Sequence, residues 1–435
     1  MASGHRDTIL ARRDVLRLGL LGGLAAPLLP RLALAANRPD LMPHVAEVVA
    51  RWVGPGKFPG LVASLGRKGT ETRFIARGTE GFADPDPVTP DSLFRIYSMT
   101  KPVTGMAAMM LVDDGKLGLD QPLADILPKF ARMQVQDSYD GSLTAVHPAR
   151  APITIRNLIT HTSGLGYSII QQGPIRKAMI EHGVVAGVIS RMKFPALERG
   201  TPVEGLETFA DRLAELPLVY DPGTRWSYSL GLDLMGRVIE VVSGKPFDVF
   251  LKERLFDPLG MTSTFFQVPA SEAHRLTTNH AAFRGALLPI DPGPTSIFLD
   301  KPGYPFGGSG LVSSPRDYDR FLAMIGNYGS FGGKRVMSER AVRMGTSNLL
   351  PPGVAGPAMM TAPSGFGAGG RVGLGAERGV YGWAGAAGTL AQVNLRTGIR
   401  SQFYAQFMPP TGLPVLAEYA TALDADIAAL LRKAA

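Results

Sequence analysis

Cysteine is absent from all 435 residues. That excludes a disulfide framework, a thiol nucleophile, zinc–thiolate centres and a lipid carried on an N-terminal cysteine. Histidine is scarce and scattered, 7 in all, with no H-E-x-x-H or comparable ligand spacing, so no metal site is expected. The lysines and arginines form no basic run interleaved with aromatics, which argues against nucleic acid as a partner. The formal net charge is +8, but residues 1–35 hold five Arg against two Asp, leaving only +5 for the rest. That balance reads as ordinary solubility rather than as a signal for an acidic partner. Beyond residue 35 no stretch offers 18 uninterrupted apolar residues, so no stable membrane insertion is expected.

What is present is the profile of a globular chain. Hydrophobic residues make up 45% and charged ones 19%, enough for a sizeable core. Gly 52 and Pro 35 together are about a fifth of the sequence, which calls for many turns but falls short of disorder or collagen. The length suits two or three average domains or one large mixed domain.

Residues 1–35 read as an address. Arg12-Arg13-Asp14-Val15-Leu16-Arg17 precedes an apolar run from Leu18 to Leu29 and then Ala33-Leu34-Ala35. This is the order of a secretory signal, with cleavage expected after Ala35. The paired arginines resemble a twin-arginine signal, so export to the periplasm is expected. Gly22, Gly23 and Pro27 interrupt the run, which is too short to cross a hydrocarbon core of about 30 Å.

In residues 36–435 the spacing of Val45, Val48, Val49 and Trp52 predicts a helix over 43–52. Gly60 to Gly81 reads as a hairpin turning at Gly66 to Gly69. Helical patterns follow at Lys101–Asp114, Ile153–Thr160 and Leu232–Val242, the last closed by Gly244. Ala391–Leu395 and Arg400–Phe407 read as paired strands joined at Thr397-Gly398, and Pro414–Arg432 as a final amphipathic helix. Strands at both ends with helices between predict one sheet built from both termini and a helical insertion. The expected division is a sheet part from about 40–120 and 320–435, and a helical part from about 121–319.

Ser98-Met99-Thr100-Lys101 carries the strongest chemical signal, an S-x-x-K that follows strand-like Leu93–Ile96 and opens an apolar helix. At i and i+3 the hydroxyl and the amine share one helix face. A serine needs a neighbouring base to become a nucleophile, and a helix N-terminus favours the negative charge that develops. A second signal is Tyr228, placed after the Asp221-Pro222-Gly223 turn and before the Leu232 helix. A phenol beside an ammonium ionises more readily and serves as a general base. The third is Tyr381-Gly382-Trp383-Ala384-Gly385-Ala386-Ala387-Gly388-Thr389, whose small residues let a substrate lie along the strand. Gly365-Phe366-Gly367-Ala368-Gly369-Gly370 satisfies a dinucleotide pattern but follows Pro363 and leads into no helix, so no nucleotide cofactor is expected. G-x-S-x-G is missing, because Leu311 fills its last place after Gly307-Gly308-Ser309-Gly310. His161 reads as a structural hydrogen-bonding residue.

Together these segments resemble the serine β-lactamase and penicillin-binding-protein superfamily across roughly residues 45–430. Ser98 and Lys101 match its first motif, Tyr228-Ser229 begins its Tyr-x-Asn motif, and Trp383-Ala384-Gly385 stands where it has Lys-Thr-Gly. His161–Leu165 and Gly308–Ser314 look like its flanking segments. The resemblance implies an α/β fold of the α+β type, an antiparallel sheet flanked by helices with an all-helical domain beside it. It also implies an acyl-enzyme on Ser98, Tyr228 and Lys101 moving the proton, and an oxyanion hole from the N–H groups of Ser98 and Ala386. Trp383 and Gly385 are then expected to bind substrate, with no cofactor required. Leu230 and Trp383 replace the asparagine and lysine that hold β-lactams in that family. A tryptophan–glycine third motif is similar to that of the family VIII carboxylesterases, which implies small esters as substrates. A β-lactamase, a D-amino-acid peptidase, or a non-catalytic relative that binds peptidoglycan peptides are the alternatives.

Overall fold

The computed structural model describes residues 42–193, 199–357 and 364–432. The expected export signal lies outside the described residues. Eight strands form one antiparallel sheet. Three come early, β1 (Gly60–Arg67), β2 (Arg73–Gly81) and β3 (Asp84–Pro87). Five come late, β4 (Ser364–Phe366), β5 (Arg371–Gly373), β6 (Val380–Gly385), β7 (Thr389–Asn394) and β8 (Ile399–Tyr404). Their order is β4-β5-β6-β7-β8-β1-β2-β3. The join between early and late strands is β1 against β8, with Val62 opposite Tyr404 and Leu65 opposite Ser401.

β1 is almost wholly buried because helices cover both faces of the sheet. Its side chains alternate, as a pleated strand requires. Leu61, Ala63 and Leu65 point into a cluster with α1 (Pro43–Trp52) and the C-terminal helix α5 (Val415–Arg432). Val62 points the other way, into the main core. That core centres on α2 (Thr100–Asp113), buried without a break from Thr100 to Leu111. A helix apolar all round belongs inside a protein rather than on its surface. Each buried Met or Val on it contributes roughly 1.5–3 kcal/mol of burial. α3 (Gly231–Ser243) packs against α2, and α4 (Pro315–Gly326) lies on β7 and β8. Gly244, at φ 70°, ends α3 in the left-handed conformation that the sequence signalled.

One region differs from the sequence reading. Residues 121–319 carry more helix than strand, but they also hold strand pairs. Gln134–Gln136 pairs with Val146–Pro148, and Asn279–Phe283 with Ala286–Asp291. The second pair closes through Arg284-Gly285, both at positive φ, a two-residue turn matched to strand twist. The glycine-rich run 365–370 is the β4–β5 hairpin, packed against α2. A methyl at Gly105 would collide with the Ala368 carbonyl, and the Gly369 N–H donates to the Ile159 carbonyl at 3.0 Å. Those glycines serve close backbone packing. Among the described residues no helix is long and apolar enough to cross a membrane.

Candidate active site

Ser98 sits in a single 3-10 turn, Tyr97–Met99, that leads directly into α2. The α-helix proper therefore starts two residues after the serine. Tyr97 has φ 40°, a left-handed conformation that costs a bulky residue roughly 1–3 kcal/mol. Its surroundings impose it. The Tyr97 ring packs edge-on against Phe298, and the preceding Arg95 is locked by a buried pair with Asp291, Nε to Oδ2 2.7 Å. On the far side the Tyr318 hydroxyl donates to the Met99 carbonyl at 2.9 Å, and the Leu311 N–H donates to Thr100 Oγ1 at 3.1 Å. The neighbours are buried while Ser98 keeps part of its surface open.

Lys101 is wholly buried, and a buried ammonium requires partners. Its Nζ donates to the Gly308 carbonyl at 2.7 Å and to Ser98 Oγ at 3.3 Å. It also lies 4.4 Å from the centroid of the Tyr228 ring and 5.6 Å from that of Tyr167. Gly308 belongs to one of the flanking segments picked out in the sequence. Its N–H donates in turn to Asp233 Oδ1 at 2.9 Å. Asp233 is fully buried, and burial pushes its carboxyl up to about 6, with the Lys101 charge pulling the other way. Sequence reasoning missed this residue. The available signal was an acid inside the apolar run Leu232 to Ile239, five residues after Tyr228.

Tyr228 lies in the extended segment before α3 rather than in its first turn. It presents its ring face to Lys101. Among the described residues its hydroxyl oxygen is met by the indole N–H of Trp383, at 3.1 Å. Aromatic rings enclose it: Trp226 stacked at 6.1 Å, His161 at 4.7 Å and Tyr167 at 5.3 Å, edge to face. His161 is buried at φ 59°, and its Nδ1 accepts the Ser229 N–H at 3.2 Å. Burial, and then the Lys101 charge, push its imidazole well below the ordinary value, so it stays neutral. It acts as scaffold, in keeping with the sequence reading. Leu230, at the place of the family's asparagine, packs into the main core.

β6 brings the third segment alongside the Tyr97–Met99 turn. Trp383 is almost entirely buried, edge-on to Phe366 at 5.2 Å. With its single N–H spent on Tyr228, it offers a ligand only part of an apolar face. Gly385 has a packing reason to be small. A Cβ there would strike the Ile96 carbonyl and the Thr389 side chain, so the space is filled by the protein's own backbone. Ala386 follows, half-buried against the cluster of Leu93, Tyr97 and Phe298. Gly388, at φ 68°, then turns the chain into β7. A cavity of about 220 Å³ opens next to Gly308, lined by Val188, Phe266, Ile297, Phe298, Ser309 and Gly310. Residues from the stretches 188–204 and 297–306 both line it.

The arrangement is a buried amine in contact with a half-open serine hydroxyl, with a phenol ring against the amine and a strand end beside the serine. A sequence model of the family described as Beta-lactamase matches residues 45–426. An uncharacterized protein of Mycobacterium tuberculosis is 37% identical over 62% of this chain, and the match spans 63% of that protein, just under two thirds. Esterase EstB of Burkholderia gladioli is 30% identical over 69% of this chain and 74% of its own length. Among solved structures, EstCE1, described as a hydrolase with promiscuous acyltransferase activity, superposes with a TM-score of 0.69. It covers 87% of this chain and 98% of its own at 24% identity, a likeness that speaks for the fold.

Proposed function

The chain belongs to the beta-lactamase family, and on that footing we propose that it is a serine hydrolase cleaving small carboxylic esters through an acyl-enzyme on Ser98. The observation that carries this reading is Lys101 Nζ at 3.3 Å from Ser98 Oγ with the Tyr228 ring packed on the same ammonium. In the reaction Ser98 Oγ attacks the ester carbonyl while its proton passes to Tyr228, which Lys101 supports electrostatically. The carbonyl oxygen becomes an oxyanion held by the N–H groups of Ser98 and Ala386, each such donor worth roughly 10²–10³ in rate. Collapse breaks the bond to the alcohol, which leaves with the proton from Tyr228. Water then attacks the acyl carbon, its proton returns through Tyr228, and the acid departs as Ser98 Oγ recovers its own.

Esters are favoured over β-lactams because the two residues that would hold a lactam's amide and carboxylate are Leu230 and Trp383. A carboxylate brought against indole loses water without gaining a counter-charge. The esterase named among the relatives supports the same choice. Intact Ser98, Lys101 and Tyr228 weigh against a binding-only relative, which needs none of the three. The proposal includes export to the periplasm, on the strength of the Arg12-Arg13 leader.

The test is intact-mass analysis after exposure to a fluorophosphonate, together with turnover of p-nitrophenyl esters. One adduct mapped to Ser98 is expected. Ser98→Ala should abolish labelling and lower turnover by on the order of 10³-fold or more. Ester turnover at the wild-type rate in that variant would sink the reading.

A further inference from the structure

Asp233 is a buried acid that the reaction above does not use. It lies in the first turn of α3, and its Oδ2 has no hydrogen-bond partner among the described residues. Its Oδ1 accepts the Gly308 N–H at 2.9 Å, and the carbonyl of the same glycine accepts from Lys101 Nζ at 2.7 Å. One residue thus carries a carboxylate on its N–H side and an ammonium on its C=O side, which ties both charged groups to the same short stretch of backbone. Glycine is required at the centre, since a Cβ at 308 would collide with the Asp233 carboxylate. Building on the serine-hydrolase reading, we propose that Asp233 is a positioning residue whose charge, with Gly308 hydrogen-bonded to both groups, holds the Lys101 ammonium against Ser98 Oγ and the Tyr228 ring.

A simpler role would be structural, since a carboxylate in a first helical turn complements the helix dipole. Stability separates the two. The groups facing Asp233 are Lys101 from α2, with Tyr167 and Tyr304 from the adjoining segments. Burial pushes both tyrosines well above their ordinary range, so they stay neutral, and among the described residues Lys101 is the charged neighbour. The Asp233 carboxyl is itself raised to about 6. A group raised on folding contributes stability that is present at low pH and lost as pH rises through that value. At neutral pH its ionised form is therefore held at a cost to stability, while any benefit of the charge to Lys101 vanishes as pH falls through about 6. A carboxylate kept only for structure would show the reverse pattern in the neutral variant.

The experiment follows the rate of Ser98 labelling by a fluorophosphonate, and steady-state hydrolysis of p-nitrophenyl butyrate, against pH in wild type, Asp233→Asn and Asp233→Glu. The wild type should lose labelling rate as pH falls through about 6. Asp233→Asn should lack that limb, with kcat lower by about tenfold or more, KM little changed and a melting temperature no lower than wild type. Asp233→Glu, which keeps the charge, should recover part of the rate and the limb. The inference is overturned if Asp233→Asn keeps wild-type rates and the limb, or loses activity only in step with lost stability. Should the Asn variant fail to fold, the wild-type profile still decides, because no limb near pH 6 overturns it too. Failure to label Ser98 in the wild type at any pH would bring down the serine-hydrolase reading itself, an outcome distinct from the others.

Discussion

The indole N–H of Trp383 donates to the phenol oxygen of Tyr228 at 3.1 Å, tying the third sequence segment to the second. Indole is a donor with no acceptor. The bond therefore persists whether the phenol keeps or gives up its proton, and it strengthens when the oxygen is charged. In the proposed reaction this makes Trp383 a positioning residue for Tyr228. Phe366 fixes the indole edge-on, and Trp226 stacks on the phenol.

Trp383→Phe removes that donor and keeps an aromatic ring of similar shape. A hydrogen bond to a charged group is worth about 1.5–3 kcal/mol, which corresponds to a fall in kcat of roughly tenfold to a hundredfold. KM for a short ester should change much less, because the lost contact is to Tyr228, the proposed base, rather than to substrate. Steady-state kinetics on p-nitrophenyl butyrate measure the split. An unchanged kcat would mean the bond is idle in catalysis.

Substrate preference should follow the same residue. Short neutral esters should exceed penicillins and cephalosporins in kcat/KM by at least ~10²-fold, about 2.7 kcal/mol of transition-state stabilisation. Trp383→Lys should narrow the gap mainly by weakening ester turnover, since Leu230 stays buried in the core and supplies no amide. A chromogenic ester and a chromogenic cephalosporin assayed side by side decide the matter. Comparable efficiency on both in the unmodified enzyme would require the esterase assignment to be withdrawn.

Export is tested on the leader. The processed chain should begin near Ala36, and the double change Arg12→Lys with Arg13→Lys should leave the precursor in the cytoplasm. Fractionation with N-terminal sequencing reads both. Normally processed protein outside the cytoplasm in that variant would count against the twin-arginine route.

Much of the scaffold was legible because it is set by local periodicity. The β1–β2 hairpin, the helix opened by Ser98-x-x-Lys101, and α3 with its Gly244 cap all stand where their spacing placed them. The strand pairs inside residues 121–319 were missed because they are short, two to six residues, too few for alternation to show. A small residue such as Gly385 signals close approach without naming what approaches. Here it is the Ile96 carbonyl, more than two hundred positions away in the chain.

By itself the sequence determined which chemistry was on offer: a serine and a lysine one helical turn apart, an unattached tyrosine, no thiol, and tryptophan where a lysine would hold an anion. Those are matters of residue type and of spacing along one element, which the covalent chain dictates. Only the tertiary structure decided that the ammonium lies over the face of the phenol, that the indole N–H is spent on the phenol oxygen, and that Asp233 reaches Lys101 through Gly308. Each of these joins segments 75 or more positions apart. Direction, burial and the loss of competing water set the strength of such contacts, and these exist only once the sheet and α2 have brought the segments together.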